Sequence, residues 1–257
     1  MYLFLQNLSV VDVSISAVIM PEMLVVLSNE KTSISFVSCF AQKYFILFFF
    51  GGTECFLLGA MAYDRFAAIC SPLSYPVIMN KRVFMKLVTG SWILGCMLGT
   101  VQTTWVSSFP FCGPSEINHI SCETPAVLEL ACADTFLFEI YAFTGTILII
   151  MVPFMLIILS YIRILFVILK MPSTIGRQKA FSTWASHLTS VTLSYGTASM
   201  TYLQPKSGYS PETKKLMSLS YSLLTPLLNP LIYSLRNSEL KRALIKLWQR
   251  KVDLRTF

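Results

Sequence analysis

The sequence predicts an all-α integral membrane protein, a bundle of six transmembrane helices forming a single domain over residues 1–257. Hydrophobic residues make up 54% of the chain and charged residues 13%, a balance that would leave a soluble protein covered in apolar surface. Most of the chain also falls into apolar runs of about 20 residues or more, the length of helix that spans a bilayer. A β-barrel is disfavoured because residues 147–159 are apolar throughout and do not alternate with polar ones.

The predicted spans follow one another with short connections, except for the long connection 108–138. The spans cover about residues 3–27, 36–70, 83–107, 139–169, 179–203 and 214–235. After the last span, Ser238 and Glu239 precede apolar residues interleaved with Lys and Arg. This pattern predicts a short amphipathic helix over about residues 238–250, lying on membrane lipid with Ser238 as its N-cap. A solvated basic tail is the alternative.

The basic residues decide what the net charge of +7 means. They cluster in alternate connections and in the tail: Lys81, Arg82, Lys86, Arg163, Lys170, Arg177, Lys179, Arg236, Lys241, Arg242, Lys246, Arg250, Lys251 and Arg255. The connection 29–35 has only Lys31, and the connection 108–138 has no Lys or Arg. The charge therefore indicates membrane orientation rather than a nucleic-acid partner, with both termini cytoplasmic. Lys206, Lys214 and Lys215 on the outer side weaken this bias without reversing it.

The N-terminus shows no cleavable signal peptide, because Met1 enters an apolar run without a basic leader. We therefore expect the first span to be retained in the mature protein.

Cysteines mark the outer face. Three lie in the long connection and a fourth lies at the outer end of the second span: Cys112, Cys122, Cys132 and Cys39. This side of the membrane is oxidising, so disulfides are expected. Four cysteines allow three pairings, and the residues alone do not choose among them.

The residues do not predict an enzyme. The only histidines, His119 and His187, are expected on opposite sides of the membrane, and we find no phosphate-binding loop or strong metal-ligand set. We expect no catalytic residue, and no cofactor apart from the sodium ion considered next. His119, Cys122 and Glu123 form a weak set of metal ligands, and an ordinary loop is the favoured interpretation.

Polar residues inside the spans are costly in lipid and need partners or a function. At about 1.5 Å of rise per residue, Asp12, Glu54 and Asn229 reach a similar depth in the inner half of the membrane. They predict a polar chamber that holds water, a proton or a sodium ion. A hydrogen-bonded cluster with one protonated acid is an equal alternative. Asn229 also precedes Pro230, where a kink favours a hinge, with a static bend as the alternative.

The inner end of the second span carries a long and specific motif. Residues 61–75 read Met-Ala-Tyr-Asp-Arg-Phe-Ala-Ala-Ile-Cys-Ser-Pro-Leu-Ser-Tyr, which closely resembles the olfactory receptor signature at the end of that family's third helix. Three similar motifs follow in the family's order: Ser160-Tyr161, Lys-Ala-Phe-Ser-Thr-Trp-Ala-Ser-His-Leu at 179–188, and Pro-Leu-Leu-Asn-Pro-Leu-Ile-Tyr-Ser-Leu-Arg-Asn at 226–237. The chain thus resembles a rhodopsin-like (class A) G-protein-coupled receptor.

Residues 1–12 resemble the family's entry into its second helix. The resemblance therefore implies that the six spans correspond to helices two to seven of a seven-helix receptor, lacking the N-terminal tail and first helix. Phe66 stands where the family usually has Tyr, and Trp184 where it usually has Cys.

The second span is also one residue longer, between Cys39 and Arg65, than the family pattern. Because an extra helical residue turns everything beyond it by about 100°, we expect a bulge between Gln42 and Gly51 to absorb it. Lys43 adds a charge near the outer end of this span.

The resemblance implies an odorant receptor for olfaction and sensory transduction, multi-pass in the plasma membrane of olfactory sensory neurons. It implies binding of small volatile organic molecules and activation of a stimulatory heterotrimeric G protein of the olfactory type. It also implies disulfides between Cys39 and Cys122 and between Cys112 and Cys132.

The resemblance assigns residues to two sites. Those implied in G-protein coupling and the activation switch are Asp64, Arg65, Tyr161, Tyr195, Asn229, Pro230 and Tyr233. Those matching the ligand pocket are Leu47, Phe48, Gly51, Gly145, Ile149, Tyr195, Ala198, Ser199, Tyr202 and Ser222, with ordinary helix packing as the alternative for any one of them.

Two other functions are weighed against the odorant receptor. A truncated receptor product that does not signal is motivated by the missing first helix, whose absence exposes surfaces meant for packing. A six-span transporter or channel would place Asp12 and Glu54 in its path, but it predicts internal repeats that the sequence does not contain.

Overall fold

The structure is a computed structural model that describes residues 2–28, 36–112, 122, 124–128, 130–170, 172–202 and 228. Within these residues the chain forms one π-helix, Leu47–Glu54, and a series of α-helices. The α-helices are α1 (Tyr2–Ser28), α2 (Phe36–Ile46), α3 (Cys55–Cys70), α4 (Tyr75–Ile78), α5 (Lys81–Ser107), α6 (Thr124–Leu128), α7 (Phe136–Leu169) and α8 (Thr174–Tyr202). The all-α fold class is confirmed.

Four segments of the described residues are long and apolar enough to cross a membrane: Leu3–Pro21, Val37–Cys70, Lys81–Ser107 and Phe136–Leu169. They correspond to the first four predicted spans. The fifth predicted span falls in α8, which has 29 residues but is richer in polar side chains than the other four. The sixth predicted span, 214–235, and the amphipathic helix, 238–250, lie outside the described residues apart from position 228.

Three helices begin earlier than the sequence predicts, because polar side chains satisfy their first backbone N–H groups. Asn80 accepts a hydrogen bond from the N–H of Val83 at 3.0 Å, so α5 begins at Lys81. Asp134 accepts from the N–H of Phe136 at 2.9 Å, at the start of α7. The hydroxyl of Ser173 accepts from the N–H of Gly176 at 3.2 Å before α8.

The π-helix Leu47–Glu54 joins α2 to α3 without a break, so these three segments form one continuous span. A π-helix takes one more residue per hydrogen-bonded turn than an α-helix, and it can therefore absorb the extra residue of this span. It overlaps the predicted segment 42–51 over residues 47–51 and extends three residues beyond it. The hydroxyl of Thr53 donates to the carbonyl of Phe48, five residues earlier, at 2.9 Å.

The π-helix packs mainly against α5, and α3 packs mainly against α7. Leu57 and Leu58 of α3 and Ile157 and Ile164 of α7 are 0% exposed. The opposite face of α7 is a stripe of exposed apolar side chains: Leu148, Val152, Leu156 and Leu159. Their spacing of three to four residues places them on one side of the helix, where lipid would cover them.

Candidate functional site

One end of the bundle, the end predicted to be the outer one, is held by two disulfides. Cys39 of α2 is joined to Cys122, with 5.3 Å between their Cα atoms, and Cys112 is joined to Cys132 at 5.8 Å. This is the pairing that the family resemblance implies. An isolated antiparallel bridge between Phe111 and Ala131 lies beside the second disulfide. The connection after α5 is thus fixed both to α2 and to itself.

Gln42 and Lys43 lie one turn inside the first disulfide. The Gln42 side-chain oxygen accepts a hydrogen bond from the backbone N–H of Cys122 at 3.0 Å, which adds a polar contact to the covalent one. Lys43 is 2% exposed. Its Nζ atom has no hydrogen-bond partner within the described part of the chain. The sequence places a lysine at this position, and the structure buries its side chain within the protein.

Glu54 is the buried acid of the π-helix and is 1% exposed. The hydroxyl of Ser194, in α8, donates to Glu54 Oε1 at 2.8 Å. Next to it, the Tyr195 hydroxyl donates to the carbonyl of Cys55 at 3.0 Å. These two bonds join α8 to the junction between the π-helix and α3. Asp12 of α1 is also buried, and α1 packs against the π-helix that ends at Glu54.

At the end of the bundle opposite the disulfides, Asp64 is the centre of a polar cluster. Asp64 is 2% exposed, and its Oδ2 lies 3.1 Å from the guanidinium of Arg65. The Tyr75 hydroxyl donates to the other carboxylate oxygen, Oδ1, at 2.8 Å. Burial and the bond to Asp64 both raise the pKa of Tyr75, so its hydroxyl keeps its proton near neutral pH. The carboxylate therefore receives a donor on each oxygen.

Tyr161 and Trp184 meet in the hydrophobic core between α7 and α8. Tyr161 of α7 is 3% exposed, and its ring lies edge-on to Trp184 of α8 at 6.2 Å between centroids. Phe181 lies 5.2 Å from the same indole. Trp184, which departs from the family pattern, thus fills the contact between α7 and α8.

The positions that match the ligand pocket are spread over the π-helix, α7 and α8. Leu47, Phe48, Ile149 and Ser199 are half-buried. The ring of Phe48 lies against Trp92 of α5 at 5.7 Å, so Phe48 packs toward α5. Gly145 has open space around the position that a Cβ atom would take. Gly51 lies in the π-helix, and Ala198 and Tyr202 lie in α8. The structure describes the backbone of these three.

Several predicted site residues lie outside the described residues: Asn229, Pro230, Tyr233, Ser222, His119 and Glu123. The amide and proline of the hinge, and the weak metal set around Cys122, therefore remain predictions. Among the residues that the structure does describe, no group of three or more His, Cys, Asp or Glu could hold a metal ion.

The structure also adds partners that sequence reasoning missed. Tyr75 closes the signature motif, but nothing in the motif identifies Asp64 as its partner. Ser194 is 140 residues from Glu54, and only packing brings them together. Asn7 accepts a hydrogen bond from the indole N–H of Trp92 at 3.1 Å. The presence of Asn7 within an apolar span could have indicated such a contact, because a side-chain amide in lipid needs a hydrogen-bond partner.

Comparison with known proteins identifies one family along nearly the whole chain. A family profile described as "Olfactory receptor" matches residues 1–251. Human olfactory receptor 10A3 is 83% identical over 257 residues, which cover 100% of this chain and 82% of the relative. Human olfactory receptor 10A6 is 84% identical over 256 residues, covering 100% and 81%. Human olfactory receptor 10C1 is 47% identical over 254 residues, covering 99% and 81%.

Proposed function

Because the chain belongs to the olfactory receptor family, we propose that its bundle binds a small volatile organic molecule and then activates a stimulatory G protein. As a member of this family it is a multi-pass membrane receptor for odorants that acts through G proteins, and it is not an enzyme. The non-signalling and transporter interpretations are not favoured by these relatives. The position of the pocket, the class of G protein and the orientation in the membrane belong to the proposal.

The observation that carries the proposal is the cluster of Asp64, Arg65 and Tyr75 at the inner end of α3. Arg65 is held by the neighbouring carboxylate at 3.1 Å, and that carboxylate is itself held by Tyr75. An arginine restrained in this way is withheld from other partners until the surrounding helices move. A ligand that shifts α3 against α7 or α8 frees Arg65 to contact the G protein.

The ligand end of the proposal lies between the π-helix, α7 and α8. A Cβ atom at Gly145 would meet nothing within 4 Å, and Ile149 and Ser199 are half-buried. Apolar walls with few polar groups favour small organic molecules that bind by burial. The Tyr195 bond to the Cys55 carbonyl links α8 to α3, the helix that carries Arg65, and would transmit a ligand-induced shift of α8 to that helix.

A sodium ion is the second part of the proposal, at the buried acids. Carboxylate and hydroxyl oxygens are the ligands that hard cations prefer, and Glu54 and Ser194 already lie within 2.8 Å of each other. Glu54 and Asp12, with Asn229 by family resemblance, would hold the ion. Thermal stability in sodium against choline, compared between the parent chain and Glu54→Gln, tests this. Equal stability in both salts for the parent would contradict it.

The charges support one orientation. Arg65 and Tyr75 lie at the end of the bundle beside Lys81 and Arg82, and the disulfides lie at the opposite end. Basic residues favour the cytoplasmic side and disulfides the oxidising side. We therefore place the inner cluster in the cytoplasm, with both termini, and the receptor in the plasma membrane.

The test is a cyclic-AMP reporter in cells that carry the chain at their surface. Acids, esters, aldehydes and alcohols are screened as odorants. We expect at least one class to raise cyclic AMP, and Arg65→Ala to abolish that response. Arg82→Ala, which changes an exposed arginine at the start of α5, is the matched control and should respond like the parent. Silence toward every class despite surface expression would refute the proposal.

A further inference from the structure

Lys43 is a buried lysine with no carboxylate paired to it among the described residues. Its side chain is 2% exposed, and its Nζ atom makes no hydrogen bond within the part of the chain described. Hydrogen bonds and ion pairs almost always accompany a buried ammonium group, because desolvation without a partner is costly. Charged groups in membrane spans accordingly face the bundle interior and mark binding sites or pathways.

The position of Lys43 on α2 shows which way it faces. Cys39, Phe40 and Gln42 are buried with it, and Ala41 and Phe45 are exposed on the other side of the helix. Lys43 is therefore on the face that packs into the bundle and not on the lipid face.

Lys43 also lies one helical turn outward from Leu47, the first residue of the proposed pocket. Residues four apart on a helix are neighbours on one face. A ligand that touches Leu47 with its apolar part is therefore within reach of Lys43 with a polar group at its outer end.

Gln42 and Lys43, adjacent on α2, each carry a buried donor that has no acceptor among the described residues. The side-chain oxygen of Gln42 is occupied by the N–H of Cys122. The Gln42 amide nitrogen, like the Lys43 ammonium, is a buried donor that has no acceptor within the described residues. A molecule that enters this end of the bundle is favoured if it brings acceptor oxygens, and most favoured if those oxygens carry negative charge.

We propose that Lys43 makes this receptor selective for carboxylic acids. The carboxylate of the odorant pairs with the ammonium group, and its alkyl or aryl body lies inward along Leu47. This inference rests on the proposed function and names the ligand class of that pocket. A charge-assisted pair inside the bundle supplies specificity that an apolar pocket alone lacks, because an ester of the same shape leaves the ammonium unpaired.

The experiment uses the cyclic-AMP reporter with short- and medium-chain carboxylic acids, each paired with its methyl ester and the corresponding aldehyde. We expect the acids to be the stronger agonists. Lys43→Met should weaken the response to acids by about 10- to 100-fold, the loss expected for one charge-assisted bond. Lys43→Arg keeps a cation and should retain the preference for acids over esters.

Two measurements separate this proposal from loss of folding. Surface expression of Lys43→Met should equal or exceed that of the parent, because the substitution removes an unpaired buried charge. An acid should also raise the thermal stability of the purified parent protein but not that of Lys43→Met. That readout does not depend on signalling.

The possible outcomes separate the role of Lys43 from the proposed receptor function. If esters or aldehydes activate and acids do not, or if Lys43→Met responds to acids as the parent does, the role of Lys43 is refuted and the receptor function stands. An aldehyde preference that depends on Lys43 would likewise overturn acid selectivity. If no odorant of any class acts on a surface-expressed chain, the proposed function falls and this inference falls with it.

Discussion

Replacing Gly95 with alanine tests the close packing of α5 against the π-helix. A Cβ atom at position 95 would lie 2.7 Å from the carbonyl oxygen of Phe48 and 2.9 Å from the backbone nitrogen of Thr53, and closer still to the Thr53 hydroxyl. Two of these are backbone atoms, so the clash is not relieved by rotating a side chain. The helices must separate, and overpacking of this kind costs about 1–3 kcal/mol.

Gly90→Ala is the matched control on the same helix, because a Cβ atom there meets nothing within 4 Å. Both variants gain up to about 1 kcal/mol of helix propensity from the change to alanine. The difference between them is therefore the steric cost alone, about 1–3 kcal/mol.

The assay is the apparent melting temperature of each detergent-solubilised variant, followed by the monodisperse fraction on size exclusion after heating. At about 2–4 °C per kcal/mol for a chain of this size, Gly95→Ala should melt roughly 2–12 °C below Gly90→Ala. Because such proteins unfold irreversibly, all variants are heated at one rate. A Gly95→Ala variant as stable as Gly90→Ala would refute the claim that the two backbones touch here.

Three further changes test other parts of the structure. Deleting one of the adjacent Phe48, Phe49 and Phe50 should convert the π-helix to α-helix and keep surface expression. Deleting Leu58 from the regular helix α3 should abolish surface expression, because it rotates Asp64 and Arg65 by about 100°. Equal loss of surface expression from both deletions would contradict this. Tyr75→Phe removes a hydrogen-bond donor from Asp64 and should raise basal cyclic AMP several-fold, since a hydrogen bond to a charged group is worth at most about 1.5–3 kcal/mol. Tyr63→Phe, at an exposed tyrosine, is the control and should leave the basal level unchanged. A basal level in Tyr75→Phe equal to that of the parent would exclude a role for Tyr75 in restraining Asp64 and Arg65. Cys39→Ser breaks a disulfide that spans 83 residues, and Cys132→Ser breaks one that spans 20. Because a disulfide stabilises more when it closes a longer loop, these two are worth about 4–5 and 3 kcal/mol, and loss of surface expression should be greater for Cys39→Ser. The reverse order would contradict the explanation by loop-closure entropy.

The four long apolar helices found among the described residues were predictable because apolar runs of bilayer length have few alternatives. The extra residue between Cys39 and Arg65 was likewise visible in the sequence, as was the need for a local distortion. Its extension to Glu54 was not, because the π-helix packs against α5 where Gly52 and Gly95 let the two backbones approach. The sequence contains both glycines but not the information that they face each other.

Some residues and contacts of the candidate site were predictable from the sequence, and others depend on the fold. Asp64 and Arg65 were identified by a contiguous motif, and neighbours in sequence need no fold to meet. The bond between Glu54 and Ser194 spans 140 residues, and it depends on how α8 packs against the rest of the bundle. The burial of Lys43 was also not predictable, since a lysine near a helix end usually extends its charge toward the membrane surface.

The π-helix lets α2 and α3, the two halves of the second span, be rotated about the helix axis independently of each other. Above it, the rotation of α2 is fixed by the Cys39 disulfide, and below it the rotation of α3 is fixed by Asp64 and its partners. A residue gained or lost between these anchors changes the turn count of the π-helix and leaves both ends facing as before. The half of the span that carries Cys39 can therefore differ in length without changing the alignment of the half that carries Asp64 and Arg65.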